Sequence, residues 1–365
     1  MCGLNRRQRR CKSARRDRRC HIKLGSPSIW LQNQKRIRKS EKQQEGSVRT
    51  LTHFHYLPIF GIRYDAPHIS TLERAAHMDT PENLYSVAVI GTGVMGKGIV
   101  QIMAQSSQVA EVLWIGRSLA SAEKSLGVLH EQWDRQVKKN RLDPSQARDY
   151  MGKVRAVGDY RSISTSKLVI EAVAESMEAK RDIFRNLSQI ATPQMILASN
   201  TSSLSITELG SLCPFPENVV GLHFFNPAPV MKLTEIISGL STSKETLDWA
   251  FDFSKSLGKE PVMVNEAPGF IVNRMLIPMI NEAIGILAEG VATAEEIDKA
   301  MRYGANHPIG PLALADLIGN DVNLSIMETL HNETGDPKYR AHSLLRKMVR
   351  ANHLGRKTGQ GFYKY

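Results

Sequence analysis

The chain lacks the features that several function classes require. It has only four cysteines. Three of them, Cys2, Cys11 and Cys20, fall in the first twenty residues, which leaves Cys213 with no disulfide partner from Met78 onward, so a reducing compartment is expected. There is no Cys-x-x-Cys pair and no His-x-x-x-His spacing, so no metal site is expected. Long apolar runs are missing too. The most apolar segment, Met275 to Leu287, is interrupted by Pro278, Asn281 and Glu282, short of the roughly 18 uninterrupted residues that read as a membrane span, and no membrane partner is expected.

The formal charge of +12 resembles a nucleic-acid signature until it is located along the chain. Residues 1–77 hold 18 Lys and Arg against 5 Asp and Glu, so everything from Met78 onward holds 30 basic and 31 acidic residues. Nucleic-acid binding is therefore expected of the leader at most. That leader, with its runs at Arg6–Arg10 and Arg15–Arg19, has no amphipathic period and is read as disordered. Three readings stay open for it: a translated upstream region with the true start at Met78, an organelle transit peptide, or a tail that binds polyanions. Location follows the choice, cytoplasmic by default and mitochondrial if the leader is a transit peptide.

With 365 residues, 42% of them hydrophobic, the chain has room for about two domains. The first is expected over residues 83–266. Ser86-Val87-Ala88-Val89-Ile90 reads as a buried strand running into Gly91-Thr92-Gly93-Val94-Met95-Gly96 and then a helix. In that setting Gly91 permits a tight turn, Gly93 lets backbone approach a pyrophosphate, and Gly96 lets the helix lie close to the strand. The amides of Val94, Met95 and Gly96 would face the phosphates. The fold expected is a Rossmann-type, doubly wound α/β sheet that binds NAD or NADP. The next strand, Val112 to Ile115, ends at Gly116, where an acid for the ribose hydroxyls usually stands. Gly116-Arg117-Ser118 offers a guanidinium and a hydroxyl instead, which favours NADP(H), with NAD(H) and a merely solvated Arg117 as the alternative.

Further strands are expected at Leu168–Val173 and Met195–Ala198. The second leads into Ser199-Asn200-Thr201-Ser202-Ser203, small polar groups at the carboxyl end of the sheet, where nicotinamide and substrate should meet. One of these serines or Thr201 can equally serve as N-cap for a helix near Ile206. Val219–Phe225 and Leu233–Ile237 flank the turn Asn226-Pro227-Ala228-Pro229 and suggest a hairpin or corner that brings His223 beside Glu235. A carboxylate on one imidazole nitrogen would fix the tautomer while the other accepts a proton; a satisfied core histidine is the plainer reading.

These motifs, together with Met231-Lys232-Leu233-Thr234-Glu235, Ala267-Pro268-Gly269-Phe270-Ile271-Val272-Asn273-Arg274 and Lys357-Thr358-Gly359-Gln360-Gly361-Phe362-Tyr363, stand in the order found in L-3-hydroxyacyl-CoA dehydrogenases, which the chain resembles from about Val87 to Tyr365. The likeness is to the stand-alone, 3-hydroxybutyryl-CoA type. It implies that His223 is the base for the 3-hydroxyl proton and Glu235 its orienting carboxylate. Ser202 would bond the substrate oxygen, and Asn273 would help hold substrate and histidine. Glu175, Lys180 and Asn226 would line the nicotinamide side, and Lys357 would face the cofactor or pocket. Glu175 and Lys180 also fit a helix-surface pair. The family usually has the acid that Gly116 replaces, which bears on the cofactor and not on the chemistry.

From Pro268 the texture turns helical: Asn273 to Ala288, then a helix after Thr293, which has capping-box spacing to Glu296. The second domain is therefore expected over residues 267–365 as an all-helical substrate and dimerisation domain, with the boundary near Val264 to Pro268. Met275, Ile277, Met279, Ile280, Ile284 and Leu287 cover more than one helix face, which predicts burial against neighbours and, as the resemblance implies, a homodimer. The reaction expected is hydride transfer between NAD(P) and a 3-hydroxyacyl-CoA, with 3-hydroxybutyryl-CoA and acetoacetyl-CoA as the pair. The rivals are a dehydrogenase of another 3-hydroxy acid or thioester (a sugar acid or a dicarboxylyl-CoA) and a non-catalytic NAD(P)-binding sensor.

Overall fold

In the computed structural model of the protein, residues 84–365 are described; the basic leader and the Met78 start lie outside the described residues. The chain alternates strand and helix from its first described element: β1 (Tyr85–Ile90), α1 (Val94–Gln105), β2 (Val109–Ile115), α2 (Leu119–Lys138), α3 (Pro144–Lys153), β3 (Val154–Val157), β4 (Leu168–Glu171), α4 (Met177–Ser188), β5 (Ile196–Ser199), α5 (Ile206–Gly210) and β6 (Val219–Phe224). These strands form one sheet with β7 (Leu233–Ser238) and β8 (Glu260–Asn265), the helix α6 (Lys244–Ser256) lying between those two in sequence. The order is β3-β2-β1-β4-β5-β6-β7-β8, with every neighbouring pair parallel except β6 and β7. This is the Rossmann-type sheet expected.

Alternation along the strands feeds two cores. Val87, Val89, Val112 and Trp114 share one with Ile99, Val100 and Met103 of α1. Ala88, Ile90, Leu113 and Ile115 share the other with Phe184 and Leu187 of α4. Both faces of a parallel sheet are covered in this way, so its strands read as unbroken apolar runs. Full burial of each Val, Leu or Ile contributes roughly 1.5–3 kcal/mol.

Strand β8 was not anticipated. It carries Pro261 and mostly exposed residues at the sheet edge, the one place where a missing amide is tolerated. The expected helix cap also moves: Ser205, not a residue of Ser199–Ser203, accepts from the amide of Glu208 at the start of α5.

The remainder is helical: α7 (Val272–Ala288), α8 (Ala294–Gly304), α9 (Pro311–Ile318), α10 (Asn320–Thr334) and α11 (Ser343–Arg350). Thr293 and Glu296 make the reciprocal capping box at α8. The apolar stripe of α7 divides: Ile277, Ile280 and Ile284 enter a third core with Leu312, Met327 and Leu330, while Met275 is 72% exposed. No described helix is long and apolar enough to cross a membrane.

Candidate active site

The glycine turn after β1 is built as its spacing requires. Gly91 has φ +122°, and a Cβ there would lie 2.4 Å from the carbonyl oxygen of Ala172; a Cβ on Gly96 would lie 2.1 Å from the carbonyl oxygen of Gly91. Both positions are closed to side chains by backbone. Gly93 is the opposite case, with no atom within 4 Å of an added Cβ. Its open side lies at the N-terminus of α1, where no side chain caps the first amides and no acid stands in the first turn. Val94 is 68% exposed there, and Met95 packs partly against the core. Trp114 of β2 donates its indole hydrogen to the Gly91 carbonyl at 2.8 Å, which pins the turn to the sheet.

At the end of β2 a Cβ on Gly116 would lie 2.3 Å from the Ser121 hydroxyl and 2.9 Å from the Ala122 amide. An acid at this position has no room as α2 now packs. Ser118 is the N-cap of α2, its oxygen accepting from the Ser121 amide. Arg117 is exposed and has no ion-pair partner among the described residues.

The antiparallel pairing of β6 and β7 sets His223 directly opposite Glu235. The imidazole Nδ1 lies 2.8 Å from Glu235 Oε2, and the two side chains are 5% and 1% exposed. A carboxylate acceptor on Nδ1 assigns the proton to that nitrogen and leaves Nε2 as an acceptor. Glu235 Oε1 accepts from the amides of Ile271 and Val272 at 3.1 and 3.0 Å, at the start of α7, so the favourable N-terminal dipole of that helix reaches the dyad. The imidazole is walled by Phe225 and Phe270, with ring centroids at 4.4 and 5.7 Å. Phe270 follows Gly269, and both have positive φ, 51° and 72°, in the turn that enters α7. Neither aromatic residue nor the two amides was foreseen, although the Ala-Pro-Gly-Phe turn marked the place.

Ser202 Oγ lies 3.2 Å from His223 Nε2, and Asn273 Nδ2 donates to the Ser202 carbonyl at 3.4 Å. The structure thus brings His223, Glu235, Ser202 and Asn273 together. Asn200 is turned inward, its carbonyl oxygen accepting from the Phe224 amide at 2.8 Å.

Glu175 and Lys180 are not a helix-surface pair. Lys180 is 1% exposed and donates to both oxygens of Glu171, at 2.8 and 2.9 Å, with Glu175 Oε2 at 3.3 Å. Glu175 Oε1 accepts from Thr201 Oγ1 and from the Ser202 amide, each at 2.7 Å. Asn226 is exposed on a loop anchored by Lys259, whose ammonium donates to the carbonyls of Ala228 and Met231 at 2.6 and 2.8 Å. Burial lowers the pKa of that lysine. Lys357 is paired with Asp321 in the first turn of α10.

Comparison with known proteins agrees with this arrangement. The NAD-binding-domain model of 3-hydroxyacyl-CoA dehydrogenase matches residues 86–267, and the C-terminal-domain model of the same enzyme matches residues 269–365. A 3-hydroxybutyryl-CoA dehydrogenase of Clostridioides difficile is 52% identical over 279 residues, which are 76% of this chain and 99% of that protein. A 3-hydroxyadipyl-CoA dehydrogenase of Escherichia coli is 39% identical over 284 residues, which are 78% of this chain and 59% of that protein. The crystal structure of (S)-3-hydroxybutyryl-CoA dehydrogenase from Ralstonia eutropha superposes with a TM-score of 0.74 at 44% identity, covering 77% of this chain and 99% of that one. The chain belongs to the 3-hydroxyacyl-CoA dehydrogenase family.

Proposed function

We propose that the protein interconverts 3-hydroxybutyryl-CoA and acetoacetyl-CoA, within fatty-acid and butyrate metabolism. The observation that carries the chemistry is the imidazole of His223, fixed through Nδ1 by Glu235 and presenting Nε2 to the Ser202 hydroxyl. The relatives from Clostridioides difficile and Ralstonia eutropha support the acyl chain.

The open space at Gly93 and the uncapped amides of α1 fit a dinucleotide pyrophosphate, which a Cβ at Gly93 would crowd. A nicotinamide bound there would supply the acceptor or donor for the hydride at C3 of the acyl chain. During oxidation His223 Nε2 takes the 3-hydroxyl proton, and Glu235 stabilises the resulting imidazolium. The amides of Ile271 and Val272 occupy the other oxygen of Glu235, so the carboxylate cannot turn away from the ring. Ser202 bonds the same substrate oxygen, and Asn273 steadies the loop that carries it. In reduction the protonated imidazole is the acid. Glu175, Lys180, Asn200 and Asn226 lie on the cofactor side in this reading, and Lys357 approaches from the helical portion.

NAD(H) use follows from the family, and NADP(H) use is proposed on Arg117, exposed beside a position with no acid. A homodimer through the helical portion would cover the exposed Met275 of α7. A cytoplasmic location accords with the bacterial relatives. The second reading, a dicarboxylyl-CoA substrate, is favoured by the Escherichia coli relative. Initial rates of acetoacetyl-CoA reduction by the full chain, with NADH and NADPH side by side, test the proposal. Turnover with either cofactor upholds the reaction; a folded protein that reduces acetoacetyl-CoA with neither overturns it.

A further inference from the structure

We propose that Glu171 is a positioning residue for this reaction: it fixes Lys180, through Lys180 it fixes Glu175, and through Glu175 it holds Ser202 against His223. The inference rests on the proposed His223 and Ser202 chemistry. Glu171 ends β4 with its side chain fully buried. Its Oε1 accepts from Lys180 and from the Val173 amide at 2.7 Å; its Oε2 accepts from Lys180 and from the Ser199 hydroxyl at 2.6 Å. Ser199 in turn accepts from the Thr201 amide at 3.3 Å. Two arms therefore run from one carboxylate to one loop, the first through Ser199 and the second through Lys180 and Glu175.

Stability alone does not account for the arrangement. Withdrawing a carboxylate and an ammonium from water costs enough that well-packed apolar side chains commonly replace such pairs without loss. Lys180 also stands in the first turn of α4, where the helix dipole disfavours a cation. What the pair does secure is Glu175, the one member of the three that reaches solvent, its side chain 35% exposed. A half-exposed carboxylate left alone turns toward water. Bound from below by Lys180, it keeps Oε1 on Thr201 Oγ1, the Ser202 amide and, at 3.4 Å, the Ser203 hydroxyl. Glu171 is also one residue from Ala172, whose carbonyl closes on Gly91, so the same strand end abuts the glycine turn. The glycine turn and the Ser202 loop are thus referred to one fixed point.

The test uses the full chain carrying Glu171→Gln, with kcat expressed per cofactor-binding site from a titration, so that a loss of folded protein does not count as a loss of rate. Misplacing a positioned group predicts a fall in kcat of about tenfold or more at saturating cofactor, with KM for acetoacetyl-CoA within about threefold of the parent. A folded E171Q whose kcat per site falls by less than that overturns the proposal. If E171Q does not fold, Ser199→Ala decides, because it removes one arm without stranding a charge. A loss of about threefold in kcat at unchanged cofactor affinity supports the proposal, and an unchanged kcat overturns it. Failure of the parent chain to reduce acetoacetyl-CoA marks instead the failure of the underlying reading.

Discussion

At the C-terminal end of the chain Asp298 and Asp316 bury their carboxylates, 6% and 1% exposed, much as Glu171 and Glu235 do at the cleft end of the sheet. The two regions are wired differently. Asp298, on α8, accepts from the Leu312 and Ala313 amides in the first turn of α9 at 2.8 and 2.9 Å, and from the Tyr363 hydroxyl at 2.8 Å. Asp316 accepts from the Phe362 and Tyr363 amides, each at 2.9 Å, from Asn320 Nδ2, and from the Tyr365 hydroxyl. Burial, and then the hydrogen bond to Asp298, push the Tyr363 phenol above its usual pKa, so it stays a donor. A Cβ on Gly361 would fall within 1.9 Å of Asp316, so even the approach is tailored to closure. Both carboxylates of this clasp meet backbone amides and phenols, and Asp316 also meets the Asn320 side-chain amide. At the cleft, the chain of bonds ends on His223 Nε2 and the Ser202 hydroxyl, which face each other at 3.2 Å. A closed polar cluster staples a tail; one with a free end is available for proton transfer.

The comparison can be broken most directly at the free end. His223→Gln removes the base, and acid–base catalysis of this kind contributes ~10²–10⁴-fold, so kcat for acetoacetyl-CoA reduction is expected to fall by about 10³-fold while cofactor affinity and Tm stay near the parent's. Retention of most of the rate would remove His223 from the chemistry. The clasp should show the reverse. Asp316→Ala leaves two part-buried amides without an acceptor, a destabilisation of ~3 kcal/mol that a thermal melt reads as a fall of roughly 6–12 °C. Its kcat per folded chain should stay within about threefold of the parent. A raised cofactor KM in that variant would weaken the contrast, because Lys357, proposed to face the cofactor, lies on the stapled tail. The smallest effect is expected outside both regions: Arg117→Ala should weaken NADPH by about tenfold relative to NADH, the size of one charged contact. Equal loss with both cofactors would contradict a 2′-phosphate role.

Much of this was legible along the chain. The glycine turn, the two extended runs about Asn226–Pro229 and the capping box at Thr293 are local patterns, and each is where it was read. The His223–Glu235 pairing was legible as a possibility of spacing, and one residue of register would have placed the two side chains on opposite faces. Glu171 was not legible, because a polar residue ending an apolar strand looks like any other strand end until Lys180, nine positions on, turns back beneath it. Strand β8 escaped because Pro261 and its exposed residues carry no strand signal away from a sheet edge. Lys180 gave a sign of Glu175 but none of Glu171, and Lys357 gave none of Asp321.

The sequence by itself determined the order of the elements and the residue types at the cleft, because glycine conformations, apolar period and turn chemistry act over a few neighbouring residues. Tertiary structure alone decided which atoms meet. The Ile271 and Val272 amides reach Glu235 across 36 and 37 positions, and Asn273 reaches Ser202 across 71. Contacts of that range depend on sheet register and on how α7 docks against β7, which depend on packing the whole core at once and not on any short stretch of chain.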